Sequence, residues 1–190
     1  MPGARPLRAD ARRNRELVLD AARSAFAAQG LSVPLDEIAR RAGVGPGTLY
    51  RHFPTKESLI EAVVNDQLRR LSGEGAALRD AADPGEAFFG FLNRIAAEAA
   101  PKRDLVDALA SAGVAVGPAV TAAAEDLRAE IAWLLARAQR VGAVRNDIGA
   151  GELTAVLSGL LFSMRSRPDT DQALVLSVFT DGLRPRTPYF

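Results

Sequence analysis

Leu17–Val18, Ala21–Ala22 and Ala25–Phe26 return every three or four residues, the period of one face of an α-helix, and Gly30 follows as a natural stop. Residues 35–42 repeat the pattern over two turns. Leu35, Ile38, Ala39 and Ala42 share one side, Asp36, Glu37, Arg40 and Arg41 the other. The two acids stand at the N-terminal end, where the helix dipole favours them. Gly43 ends this helix, Gly45 caps the next and Pro46 suits its first turn, giving a third helix over 46–52 that Phe53-Pro54-Thr55 breaks. Thr55 caps a long fourth helix from about 56 to 72 or beyond, up to a glycine-containing stretch at 73–75. Further helices are predicted near 84–100, 102–113, 118–141, 150–165 and 170–183, with stops at Asp83-Pro84, Pro101, Gly117-Pro118, Gly142 and Pro168. No convincing alternation of apolar and polar residues marks a strand. The pattern predicts an all-α chain of about nine helices.

The stretch Gly43-Val44-Gly45-Pro46-Gly47 raises a choice between a phosphate cradle and a turn between helices. A dinucleotide fingerprint needs G-x-G-x-x-G after a β-strand, and a P-loop needs a lysine beside its last glycine. Neither spacing is met, and what precedes is the amphipathic helix "LDEIARR". A two-turn helix, a glycine turn and a second short helix have the anatomy of a helix-turn-helix. Gly43 supplies the left-handed turn residue, Val44 fills the angle, and Leu49 and Phe53, four apart, anchor the third helix. Gly47, Thr48, Arg51 and His52 are then left outward, with Tyr50 at the flank. Hydroxyl, guanidinium and imidazole donors with small residues beside them suit phosphate and base-edge contacts on double-stranded DNA. The domains expected are 1–57, the N-terminal DNA-binding part, and 58–190, a larger ligand-binding and dimerisation part.

Charge agrees with that division. Residues 1–56 carry ten basic and five acidic side chains, the rest fourteen basic and eighteen acidic, so only the front of the chain is suited to a polyanion. Arginines 5, 8, 12, 13 and 15 form either a solvated tail or an arm reaching the minor groove. Lys56, one of two lysines in the chain, stands at a helix N-terminus, which already attracts anions.

From Leu17 to Leu59 the chain resembles the tetracycline-repressor (TetR) family of bacterial transcriptional regulators, through "AARSAFAAQG", "LDEIARRAGV" and above all "GTLYRHFPTKESL". That resemblance implies a dimeric DNA-binding repressor whose C-terminal domain senses a small molecule. It also implies that Thr48, Tyr50, His52 and Lys56 match positions that commonly contact DNA, His52 and Lys56 mostly at phosphate. The family often carries serine or threonine at position 45 and a basic residue at 46. Gly45-Pro46 departs from this, weakening the cap and removing one DNA contact.

In the larger half, Val120, Ala123–Ala124, Leu127, Ile131, Leu134–Leu135, Ala138 and Val141 make one broad apolar face. Trp133 lies off its centre, with Glu130 and Arg137. Phe88, Phe89, Phe91 and Leu92 on one helix and Leu105, Val106 and Leu109 on the next have surplus apolar surface. They form either an ordinary core or, as the resemblance favours, a cavity for a small apolar or amphipathic effector, with Phe88, Phe91, Leu92, Leu105, Leu109 and Trp133 as its candidate lining. Leu153, Val156–Leu157, Leu160–Leu161 and Met164 follow a helical stripe, and Leu174–Val175 and Val178–Phe179 make a partner stripe. Two such helices per chain either pair with their copies in a homodimer or pack on their own subunit. A dimer also suits the front of the chain, because two short reading helices on a palindromic operator double the readout.

Other classes fare less well. With no cysteine and one histidine, only carboxylates remain as plentiful catalysts or metal ligands, and no close pair stands out; Asp104 and Asp107 come nearest. No catalytic residue, metal or cofactor is expected. A helical interaction module with a non-reading helix-turn-helix is the competing class. The basic start "MPGARPLRADARRNR" lacks the apolar segment of a signal peptide, and the uncharged stretch 153–164 is too short to cross a bilayer, so a soluble cytoplasmic protein is expected.

Overall fold

The computed structural model describes residues 4–99, 117–167 and 169–185, and all regular structure among them is helical. The helix expected at 102–113, with Leu105, Val106 and Leu109, lies outside the described residues. The described residues fall into two compact units, one holding 4–67 and 117–120 and the other 68–99 and 121–185.

The first unit contains α1 (Ala4–Gln29), a 3-10 turn (Gly30–Ser32), α2 (Leu35–Ala42), α3 (Pro46–His52) and the start of α4 (Lys56–Ala77). Helix α1 packs on α2 and α3 through its buried face of Val18, Leu19, Ala22, Ala25 and Phe26. Arg23 ties it to α4 by an ion pair with Asp66 at 3.4 Å. Helix α4 starts with reciprocal capping: the Ser58 N–H donates to Thr55 Oγ1 at 3.1 Å, and the Thr55 N–H donates to Ser58 Oγ at 3.2 Å. The basic N-terminal segment is helix from Ala4 onward, continuous with the rest of α1, and so is not an extended arm.

The second unit holds the remainder of α4, α5 (Pro84–Ala99), most of α6 (Pro118–Arg140), α7 (Ala150–Ser166) and α8 (Gln172–Gly182). Each start is locally determined. Asp83 Oδ1 accepts from the N–H groups of Gly85 and Glu86, Glu152 accepts from the Gly149 N–H at 2.9 Å, and Asp171 accepts from the Leu174 N–H at 3.1 Å. Gln139 donates to the carbonyls of Arg145 and Ile148, both at 2.9 Å, and so pins the loop between α6 and α7. A single apolar cluster joins Leu71, Phe88, Phe91 and Leu92 to Ile131, Leu134, Leu153, Leu157 and Leu183.

One expectation changes. Helix α4 runs through Gly73 and Gly75 to Ala77 and does not stop at 73–75. Gly75 is buried there, and a Cβ on it would stand 2.9 Å from Phe91 Cζ, so the residue is small to admit a neighbouring ring and not to break the helix. None of the described helices is long and apolar enough to cross a membrane.

Candidate nucleic-acid interface

The helix-turn-helix is held by its own backbone. Gly43 takes φ +68° and ψ 25°, the left-handed conformation that lets its N–H reach back to Arg40 O at 3.2 Å while the Val44 N–H reaches Ala39 O at 3.1 Å. Gly45 caps α3 through its carbonyl alone, accepting from Thr48 and Leu49, and Pro46 opens the helix with φ already set. Leu49 and Phe53 are buried, which fixes the rotation of α3.

That rotation determines what faces outward. Gly47, Tyr50 and Arg51 are exposed, Thr48 and His52 are partly exposed, and Lys56 is half-buried at the first residue of α4. Tyr50 is 44% exposed. Repulsion from the Asp36 carboxylate, followed by burial and a hydrogen bond to that carboxylate, raises the Tyr50 phenol above its ordinary range. The hydroxyl therefore stays protonated and leans on α2, leaving the ring and an oxygen lone pair for a partner. Asp36 was legible in the sequence only as a helix-start acid; its link to Tyr50 crosses the turn, and no local pattern signals it.

On α2, Glu37 accepts from Arg40 and Arg41 at 2.7–2.8 Å. The hydrogen bond from Arg40, then that from Arg41, holds the Glu37 carboxyl at about 2. Both guanidiniums are thereby oriented along the outer side of α2. Arg15 lies with its Cζ 5.5 Å from the centroid of the Phe53 ring, at the C-terminal end of α3. Arg15 of α1 is thereby placed at the end of α3, and Lys56 opens α4 four residues after His52.

Comparisons with known proteins identify the family. Residues 18–63 match the model of bacterial regulatory proteins of the tetR family, and residues 83–185 match that of the SbtR-like transcriptional regulator C-terminal domain. The chain belongs to the TetR family. A TetR transcription regulatory protein from Mycobacterium vanbaalenii is 46% identical, with a TM-score of 0.75 over 94% of this chain and 99% of that one. The regulator SCO0520 from Streptomyces coelicolor is 32% identical, with a TM-score of 0.73 over 91% and 99%. The transcriptional regulator UidR of Escherichia coli K12 is 28% identical over 188 residues, spanning 94% of this chain and 93% of UidR. This TetR-family protein is a DNA-binding transcriptional regulator with a ligand-binding domain, and such regulators form dimers.

The remaining candidates of this TetR-family chain lie in the second unit. Phe88, Phe91 and Leu92 are packed into the apolar cluster, and Leu105 and Leu109 lie outside the described residues. Trp133 is held between guanidiniums, 5.7 Å from Arg79 Cζ and 5.4 Å from Arg137 Cζ. Arg79 also forks onto the largely buried Glu130 at 2.8 and 2.6 Å, and Arg137 donates to Ala81 O, so this side of α6 clamps the connection between α4 and α5. A half-open apolar cavity of about 300 Å³ lies elsewhere, walled by Ile148, Leu153, Val156, Val178, Phe179 and Leu183, with Arg145 and Glu152 at its edge. The two expected interface stripes divide. Leu153, Leu157 and Met164 are turned into their own subunit, and Leu160, Leu161, Val175 and Phe179 are half-buried. Val156, Leu174 and Val178 are 57%, 60% and 67% exposed. They are joined by Phe162 at 58%, which falls outside the sequence stripe.

Proposed function

We propose that this regulator is a homodimeric repressor, bound to a palindromic operator through α3 and released when a small apolar or amphipathic effector occupies its second unit. The observation that carries the reading is the outward face of α3, where Thr48, Tyr50, Arg51 and His52 combine donors and an aromatic ring beside the bare backbone of Gly47. A seven-residue helix spans too few base pairs to be selective alone. Two of them spaced by about 34–36 Å on a palindrome read both half-sites. The exposed Val156, Phe162, Leu174 and Val178 support pairing through α7 and α8.

The cavity walled by α7 and α8 is the seat proposed for the effector, since among the described residues it is an apolar cavity of about 300 Å³, while Phe88, Phe91 and Leu92 are buried within the apolar cluster. A 150 Å³ apolar cavity takes benzene, so one of about 300 Å³ takes a ligand of roughly a dozen heavy atoms. Its charged edge groups are engaged: Arg145 pairs with Asp147 and Glu152 caps Gly149. That favours an effector without a net charge. Because Val156 and Val178 belong both to the cavity and to the exposed pairing face, an occupant there alters how subunits pair, and with it the spacing of the reading helices. Helix α4, which contributes residues to both units, is the second route for coupling. The effector acts only as far as it prefers the non-binding state.

Fluorescence anisotropy on DNA from beside the regulator's own gene, against random DNA of equal length at fixed near-physiological salt, tests the reading. Preference of about 10³-fold or more is expected of sequence-specific recognition. Equal weak binding to both would favour an interaction module with a non-reading helix-turn-helix.

A further inference from the structure

A groove of about 560 Å³ runs between α6 and α7, on the other flank of α7 from the apolar cavity. Its walls are small residues: Ala129 and Ala132 on α6, and Gly151, Ala155 and Ser158 on α7. Gly151, Ala155 and Ser158 recur at helical spacing, and the next position of that row is Phe162. All four are exposed, Phe162 by 58%. One row of α7 thus carries a depression over its first half and, about 10 Å beyond Ala155, a large apolar ring. Between the two stands Gly159, exposed inside the helix, where a Cβ would meet nothing within 4 Å. Glycine weakens a helix at such a position, and no described side chain of its own subunit uses the room it leaves.

We propose that two copies of the chain pair antiparallel along α7, so that Phe162 of each seats in the groove of its partner. The inference rests on the pairing through α7 and α8 proposed above; it adds α6 to that interface and names the residue that fills the groove. A two-fold pairing is self-complementary: where residue i of one copy meets j of the other, j also meets i. A ring and a groove on the same row of antiparallel helices satisfy that condition when the axis passes midway between Ala155 and Phe162, at Ser158 and Gly159. Gly159 then lies where the two backbones come closest. Charge points to the same partner. Glu152 and Asp181 are the only charges among the described side chains of α7 and α8. Both are engaged within the subunit, Glu152 with the Gly149 N–H and Asp181 with Arg184 at 3.5 Å. Such a face neither repels its own copy nor attracts a charged one. At its border, Arg128 of the groove and Asp169, three residues past α7, have no ion pair among the described residues. The antiparallel pairing carries the partner's Asp169 towards Arg128, a complement of charge that fixes register.

The test mixes two variants of the full chain, Phe162→Asp and Ala155→Arg, and follows them by sedimentation velocity, with circular dichroism melting to confirm the fold. Alone, each is expected to sediment as a monomer, because a homodimer of either holds two spoiled contacts. Mixed in equal amounts, they should form a heterodimer. There the new carboxylate meets the new guanidinium at one contact, and Phe162 meets Ala155 at the other. Phe162→Ala, which adds no charge, should raise the dimer dissociation constant by about thirtyfold or more, as expected for the loss of an aromatic anchor. A dimer from either charged variant alone, or monomers in the mixture, would overturn the proposal. Val178→Glu separates the two readings. If it dissociates the dimer while Phe162→Asp and Ala155→Arg do not, pairing through α7 and α8 stands and the groove contact falls; if none of the three dissociates it, both fall.

Discussion

Replacing Gly43 by alanine tests the turn of the helix-turn-helix by itself. Gly43 stands at φ +68°, and a Cβ built on it meets nothing within 4 Å. Crowding therefore contributes nothing, and the cost is the left-handed backbone alone, about 1–2 kcal/mol for a residue with a side chain. Alanine also narrows the unfolded ensemble, which offsets about 0.4–1 kcal/mol. The net expectation for G43A is a loss of about 1 kcal/mol. G43N should fall between glycine and alanine, because asparagine visits the left-handed region more readily. Gly47 has equally open space but sits inside α3, where G47A should gain about 0.5–1 kcal/mol. Urea unfolding followed by far-ultraviolet circular dichroism reads these differences as midpoint shifts at constant slope. Anisotropy on the same proteins then separates stability from recognition, since G47A places a methyl group on the reading face and should bind DNA more weakly while being more stable. A G43A protein as stable as the wild type, or G43A and G47A shifting in the same direction, would refute the reasoning.

Further predictions concern other parts of the chain. Gly75→Ala should lose about 1 kcal/mol, because overpacking against Phe91 at 2.9 Å and Glu130 at 3.0 Å exceeds the gain in helix propensity; Gly73→Ala, with nothing near it, should gain about 1 kcal/mol. Equal shifts in thermal midpoint for the two would argue against it. Val178→Glu, at a position 67% exposed, should convert the dimer to monomer in sedimentation without lowering the melting temperature, and an intact dimer would move the interface elsewhere. Glu37, whose carboxyl Arg40 and Arg41 hold at about 2 against an ordinary 4.5, contributes stability that is present above pH 4.5 and lost as pH falls through 2. Glu37→Gln should flatten the acid limb between those values and leave the pH dependence above 4.5 unchanged; an acid limb as steep as the wild type would contradict the assignment.

What the sequence made legible was whatever its chemistry settles within a few residues. Helices α2 and α3 end where expected, at 35–42 and 46–52, because Gly43, Pro46 and the break at Phe53-Pro54 act on their immediate neighbours. The outward face of α3 follows from the same local arithmetic, because Leu49 and Phe53, four residues apart, are its buried anchors. Gly73 and Gly75 misled because local propensity says nothing of a ring that arrives from α5; the space Gly75 leaves for Phe91 outweighs the entropy it costs α4. The start of α1 lies in an arginine-rich stretch whose few apolar residues give periodicity little to mark it by. The stripe of α7 exposes the deeper limit. Apolar period shows that a helix has a dry side but not whose side chains dry it. Leu153, Leu157 and Met164 turn to their own subunit, while Val156 and Phe162, off the centre of the stripe, are the ones left in solvent. The surface offered to a partner is thus the residue of the pattern after the subunit's own core has taken its share. On α7 and α8 that remainder is valine, leucine and phenylalanine, the chemistry that the proposed pairing with a second copy requires.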